Sequence, residues 1–176
     1  MHGLVFLYEG FEEIEASTII DILRRAGLAI TVTGTSAIII GGQSMKIVVD
    51  AKISDINTDD YDFIALPGGP GYRSILDSTD VHEMLRSFNE KGKLIAAICA
   101  APLILQKAGV LDGKKATAYP GMEKYLDNPR EESVVVDQNI VTSRGPGTAI
   151  EFSLKIVEMM IGKTASDNLR KDLVYE

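Results

Sequence analysis

The only cysteine, Cys99, closes the apolar run LIAAIC and is followed by Ala100, Ala101 and Pro102. A short continuous apolar stretch such as Leu94 to Ile98 has the pattern of a central strand covered on both faces, although periodicity alone also admits a buried helix. Pro102 suits the first turn of a helix, and Leu103 to Leu105 carry that helix toward Gly109. Cys99 is therefore expected at a strand-to-helix turn, where the free N–H groups of a helix start favour thiolate over thiol. That is a nucleophile's environment. The competing reading is a buried free cysteine that acts as a small hydrophobe.

A nucleophile needs a proton partner. In the acidic cluster Glu12, Glu13 and Glu15, the first two are favourable charges in a helix's first turn, but Glu15 lies deeper. On the inner side of that helix it would be desolvated, its pKa would rise, and it could share a proton with the thiol; a solvated face is the alternative. Neither histidine serves locally: His2 precedes the first expected strand and His82 lies in an expected surface helix, so both read as solvent-exposed bystanders. The residue after Cys99 is Ala100, which disfavours a cysteine protease, because such an enzyme wants a base within reach of the thiol. One cysteine and two distant histidines give no metal-ligand set, and no metal or cofactor is expected.

Two glycine-rich loops complete the reactive inventory, LPGGPG from Leu66 and RGPGT from Arg144. Glycines allow backbone N–H groups to approach a reacting atom, so Gly68 and Gly69 form an oxyanion pocket with the N–H of Ala100 on this reading, or two tight turns on the plainer one. Pro146, in the second loop, joins the candidate substrate-binding set. Neither loop ends in GK[ST] and no GxGxxG follows the first strand, which argues against nucleotide binding.

The elements that must position these groups alternate. Strands are expected at Leu4–Tyr8, Ala29–Thr33, Phe63–Leu66, Leu94–Ile98, Lys115–Tyr119, Val134–Val136 and Ile140–Ser143. Helices are expected at Glu12–Ala26, with Ile14, Ile19, Ile22 and Leu23 on its apolar face, at Val81–Glu90 and at Ala149–Ile161, with a short polar helix after Gly162. Ile38–Ile40 and Ile47–Val49 flank Gly41-Gly42 and read as a hairpin at an edge of the sheet. This order implies right-handed crossovers and a mostly parallel α/β sheet with helices on both faces, whose ligands collect at the carboxyl ends of the strands.

The 176 residues, 45% hydrophobic and 24% charged, fit one domain spanning 1–176. The net charge of -7 argues against nucleic-acid or anionic-membrane partners. A lone cysteine fits a reducing compartment, the N-terminus lacks the basic start of a signal peptide, and the longest apolar run falls short of the roughly 18 residues of a membrane span. A cytoplasmic location is expected.

EEIEAS at Glu12, RRAG at Arg24, LPGG at Leu66, AAICAAP at Ala96 and TSRGPGTAIEF at Thr142 resemble, in order and over nearly the whole chain, the ThiJ/PfpI superfamily. More narrowly they resemble its branch with bacterial YajL and the human parkinsonism-associated deglycase, DJ-one. The resemblance implies a flavodoxin-like three-layer sandwich, a homodimer, and a reactive cysteine beside a protonated glutamate, roles that fall on Cys99 and Glu15. It also implies glutathione-independent conversion of methylglyoxal to lactate or reversal of early glycation on proteins. Oxidative-stress sensing and chaperone activity are the further associations of the family, with older labels of proteolysis. Two positions depart: Tyr119 stands where the human branch has a histidine, and Met45 where it has an arginine. With an unperturbed pKa of about 10, tyrosine is a poor base at neutral pH. A redox-sensing thiol that reacts once per chain, or a holdase without turnover, is the rival to an enzyme.

Overall fold

The computed structural model describes residues 1–176. The chain runs through β1 (His2–Leu7), α1 (Glu13–Arg25), β2 (Ala29–Gly34), β3 (Ile38–Ile40), β4 (Lys46–Val48), β5 (Ala51–Lys52), β6 (Phe63–Leu66) and α2 (Thr79–Glu90). It continues through β7 (Leu94–Ile98), α3 (Pro102–Lys107), β8 (Val134–Asp137), β9 (Ile140–Ser143), α4 (Ala149–Ile161) and α5 (Lys163–Asp172). Seven strands form one sheet in the order β5-β2-β1-β6-β7-β9-β8, all parallel except β8, which runs antiparallel to β9.

The central strands are continuous apolar runs because both of their faces are covered. Leu4, Phe6, Ile95 and Ala97 join the core beneath α2 and α3, whereas Val5, Leu7, Ala96 and Ile98 join the core beneath α1, α4 and α5. Alternate side chains therefore feed opposite layers, as the pleat requires. The expected flavodoxin-like α/β sandwich is what forms. On α2, Val81, Met84, Leu85 and Phe88 are buried at helical spacing. Burying a side chain of this size contributes about 1.5–3 kcal/mol, so Leu85→Ala would loosen the helix first. No helix is long and apolar enough to cross a membrane.

Three expectations need correction. The Gly41-Gly42 hairpin is not part of the main sheet: β3 and β4 pair only with each other, and the short β5, unforeseen, takes the outer edge of β2. The hairpin is drawn instead to the β1–α1 loop, where Gly10 N donates to Ile40 O at 2.7 Å, Gly42 N to Phe11 O at 2.8 Å, and Gln43 N to the Glu13 carboxylate. Residues 115–119 are not a strand; they make a single bridge, Ala116 to Pro129, and their N–H groups go to Asn128 O, Thr142 Oγ1 and Cys99 O instead of a strand ladder. Finally, the buried face of α1 is Glu15, Ile19, Ile22 and Leu23, spaced i, i+4, i+7, i+8, so Ile14 falls outside it and is 57% exposed.

Candidate active site

Strand register brings the reactive groups together. Leu66 pairs with Ala97 and Ile98 with Ser143, so the residues just beyond these pairs, Pro67, Cys99 and Arg144, emerge at one edge of the sheet. Cys99 has φ +65°, a left-handed conformation that costs a non-glycine residue about 1–2 kcal/mol. Both its backbone groups are held there: its N–H donates to Ser143 O at 2.9 Å, and its carbonyl accepts from Tyr119 N at 2.8 Å. The sharp turn lifts the sulfur out of the strand, though the residue remains buried.

Glu15 is fully buried. Its Oε2 accepts from Gly68 N at 2.6 Å, while Oε1 is buried with no hydrogen-bond partner, and the carboxyl lies close enough to the Cys99 thiol for each to shift the other's titration. Burial pushes the Glu15 pKa up to about 7 against the pull of the Gly68 N–H, and the charge of Glu12 pushes the same way. Glu15 is therefore largely protonated below neutrality. Burial also pushes the Cys99 thiol up, with the Glu15 charge second, and the N–H groups of Ala100 and Gly69 pull it down. The N–H groups expected to favour a thiolate do pull the thiol down, but burial and the Glu15 charge outweigh them. The first ionisation belongs to the pair, and with the remaining proton on Glu15 the carboxylate repulsion against a thiolate is gone.

The loop after β6 is shaped by close approach. A Cβ on Gly68 would lie 2.6 Å from Cys99 Cβ and 2.8 Å from Ala100 N. Gly69, at φ +117°, packs against the backbone of Gly10 and Phe11. The Gly68 N–H is engaged by Glu15, so Gly69 and Ala100 are the donors turned to the sulfur. Glu12 and Glu13 also do more than complement a helix start: Glu12 Oε2 caps Glu15 N at 2.7 Å, and the buried Glu13 anchors the hairpin.

Tyr119 reaches the site through its backbone, with its side chain 47% exposed over Gly145. Pro146 is half-buried and borders a cleft of about 290 Å³ with Tyr119 and Arg144. The histidines are not solvent bystanders. His2 begins β1 and its Nε2 meets Thr31 Oγ1 at 2.8 Å with the ring against Tyr61, and His82 donates to Leu76 O at 2.9 Å. No three His, Cys, Asp or Glu side chains gather as metal ligands.

Two residues escaped the sequence reading. Tyr8 is buried, donates to Pro67 O at 2.9 Å, and has its phenol pushed well up by burial and then by Glu15 and Cys99, which places it beside the pair. Its signal was a lone polar-tipped aromatic at a strand's carboxyl end. Arg144 has a buried, unpartnered Nε and a long 3.7 Å contact to Glu123, and its signal was a cation next to a glycine loop.

Comparison with known proteins bears on the family and the fold. The DJ-1/PfpI family matches residues 2–159. Protein dj-1beta of Drosophila melanogaster is 42% identical over 98% of this chain and 96% of its own. Glutathione-independent glyoxalase DJR-1.2 of Caenorhabditis elegans is 35% identical over 94% and 91%. Among solved structures, oxidized Toxoplasma gondii DJ-1 superimposes with a TM-score of 0.95 at 39% identity, covering 99% of this chain and 98% of that one. With sequence and fold in accord, the chain belongs to the DJ-1/PfpI family.

Proposed function

We propose that this protein is a cysteine-dependent, glutathione-independent glyoxalase or deglycase that acts on methylglyoxal or on early glycation adducts in the cytoplasm. The observation that carries the reading is the Glu15 carboxyl, held by Gly68 N–H through Oε2 and left without an N–H or O–H partner at Oε1 beside the Cys99 thiol. The relative named as a glutathione-independent glyoxalase supports it. Cys99 sulfur, its proton leaving as the pair ionises, adds to the aldehyde carbon of methylglyoxal. The N–H groups of Gly69 and Ala100 stabilise the resulting oxyanion of the hemithioacetal. Glu15 moves a proton from the former aldehyde carbon to the neighbouring one, which turns the adduct into a lactoyl thioester. Water then cleaves the thioester, releasing lactate and restoring the thiol, so methylglyoxal plus water balances to lactic acid.

Lactate formed from excess methylglyoxal without glutathione tests this. Many equivalents per chain from the wild type and none from Cys99→Ser is the expected result. One equivalent or less sinks it. The second reading, a redox sensor in which the Cys99 thiolate is oxidised by peroxide to sulfinate, is supported by the oxidized state of the Toxoplasma relative and would give a mass gain of two oxygens without turnover.

The homodimer reading rests on apolar exposure at one place. Ile38 and Val48 are cross-strand partners on the hairpin, 51% and 73% exposed, and Met45 and Ile14 lie on the adjoining turn and helix. Val48→Glu should shift the sedimenting mass from two chains to one; an unchanged mass removes this face from the interface.

A further inference from the structure

A cleft of about 770 Å³ adjoins the Cys99 turn, although Cys99 itself does not line it, and has no part in the chemistry above. It shares Tyr119 with the Cys99 turn and begins at Pro70, the residue after Gly69. Three cations line it, Arg73 from the loop after β6, Lys107 from the last turn of α3 and Lys124 from the segment after Tyr119. So do three tyrosines, Tyr72, Tyr119 and Tyr125, and no acidic side chain. On a chain of net charge -7 the lining is cationic, with Asp77 and Asp127 at its rim on Lys107 and Gln106.

The cations are held on aromatic faces more than by carboxylates. Arg73 lies 5.5 Å from the Tyr72 ring centroid and Lys124 5.1 Å from that of Tyr125. Only Lys107 has an ion pair, a long 3.7 Å contact to the exposed Asp77. Exposed tyrosines on such a surface offer large contact area at low conformational-entropy cost, with an apolar body and a polar tip.

We infer that this cleft binds the acidic stretch of a polypeptide whose carbonyl adduct lies at Cys99, an inference that rests on the adduct-processing reading above. Size is the first argument, because a three-carbon dicarbonyl fills little of a space suited to a much larger ligand. Charge distribution is the second. A phosphate group is ordinarily held by converging N–H groups of a glycine loop or a helix N-terminus. Here the positive charges stand on three separate segments at the ends of long side chains, an arrangement that matches carboxylates spaced along a peptide. With Tyr119 joining the Cys99 turn to this cationic surface, the protein would select adducts on acidic segments over free dicarbonyl.

The test uses Cys99→Ser protein and fluorescence anisotropy, so that binding is read without turnover. The probe is a labelled Glu-Glu-Lys-Glu-Glu peptide whose lysine has been treated with methylglyoxal, against the same peptide with Gln in place of Glu. The acidic peptide should bind about tenfold more tightly, the scale that three exposed ion pairs supply together. The preference should shrink as salt rises and vanish in Arg73→Gln/Lys107→Gln/Lys124→Gln. Equal affinity for the two peptides overturns the inference, with or without a folded triple variant. Displacement of the acidic peptide by AMP at concentrations below the peptide's own Kd also overturns it, in favour of a nucleotide site. Absence of lactate formation by the wild type overturns the catalytic reading alone, since the peptide comparison does not depend on Cys99.

Discussion

Behind the Cys99 sulfur stands Glu15, fully buried, with one oxygen on the Gly68 N–H and the other without an N–H or O–H partner. On the solvent side stands Tyr119, 47% exposed, whose backbone N–H holds the cysteine carbonyl and whose ring borders open clefts. Both walls touch the same turn, yet they set different properties. The inner wall is dry, so a carboxyl there titrates near neutrality and a single proton governs the pair. The outer wall is wet, so its charges are screened and act on which molecule arrives. Changes behind the sulfur should alter kcat and pH behaviour, and changes in front should alter affinity.

The largest break comes from Glu15→Gln, which keeps the shape and removes the shuttling proton. Lactate formation should fall at least about 100-fold, the low end of what positioned acid–base catalysis contributes, with the far-ultraviolet circular dichroism unchanged. Turnover within about threefold of wild type would take Glu15 out of the mechanism.

The same variant sharpens the comparison through stability. Glu15 binds its proton more tightly in the fold, with its pKa raised from 4.5 to about 7, so its stabilising contribution is complete below pH 4.5 and lost as pH rises to 7. Relative to Glu15→Gln, the wild type should lose about 3 kcal/mol between pH 4.5 and pH 8 in urea unfolding. A constant difference between the two proteins across that range contradicts a desolvated carboxyl.

Gly68→Ala would press a methyl group against Cys99 Cβ and the Ala100 N–H. Overpacking of this kind costs about 1–3 kcal/mol, and it should lower the unfolding midpoint and kcat together. An unshifted midpoint would mean that the loop has room to move. Tyr8→Phe removes the bond to Pro67 O and leaves that carbonyl unpaired, for a loss of about 1–3 kcal/mol. Its effect on kcat should be modest, since Tyr8 positions the loop and does not face substrate; a pH-rate profile displaced by a full unit would instead make it part of the titrating set.

Tyr119→Phe should have the smallest effect, about twofold or less on kcat, because the backbone N–H that holds Cys99 survives the change. A tenfold loss would assign proton transfer to the exposed hydroxyl. That result would erase the distinction between the two walls.

Much of this arrangement was legible in the residues alone. The apolar runs ending at Leu66 and Ile98, the proline after Cys99 and the glycine stop at Gly162 marked elements whose bounds lie within a residue or two of those that form. Local sterics and burial set these, so the local pattern carries them. Even the burial of Glu15 was written in α1, where it sits in phase with Ile19, Ile22 and Leu23, although Ile14 drew the apolar face the wrong way round. Residues 115–119 looked like a strand because their composition suits one, but their N–H groups are taken by Asn128, Thr142 and Cys99, partners that local pattern does not show.

The sequence by itself determined the alternation of strands and helices, the placing of one thiol at a strand-to-helix turn and the lack of a histidine next to it, because each follows from residue type and short-range spacing. Only the tertiary structure decided that Gly68 spends its N–H on Glu15, that burial opposes the thiolate a helix start would favour, and that Arg73, Lys107 and Lys124 line one cleft. Those facts join distant positions, 53 residues apart for Gly68 and Glu15, and desolvation and charge depend on what the whole fold brings near and what water it leaves out.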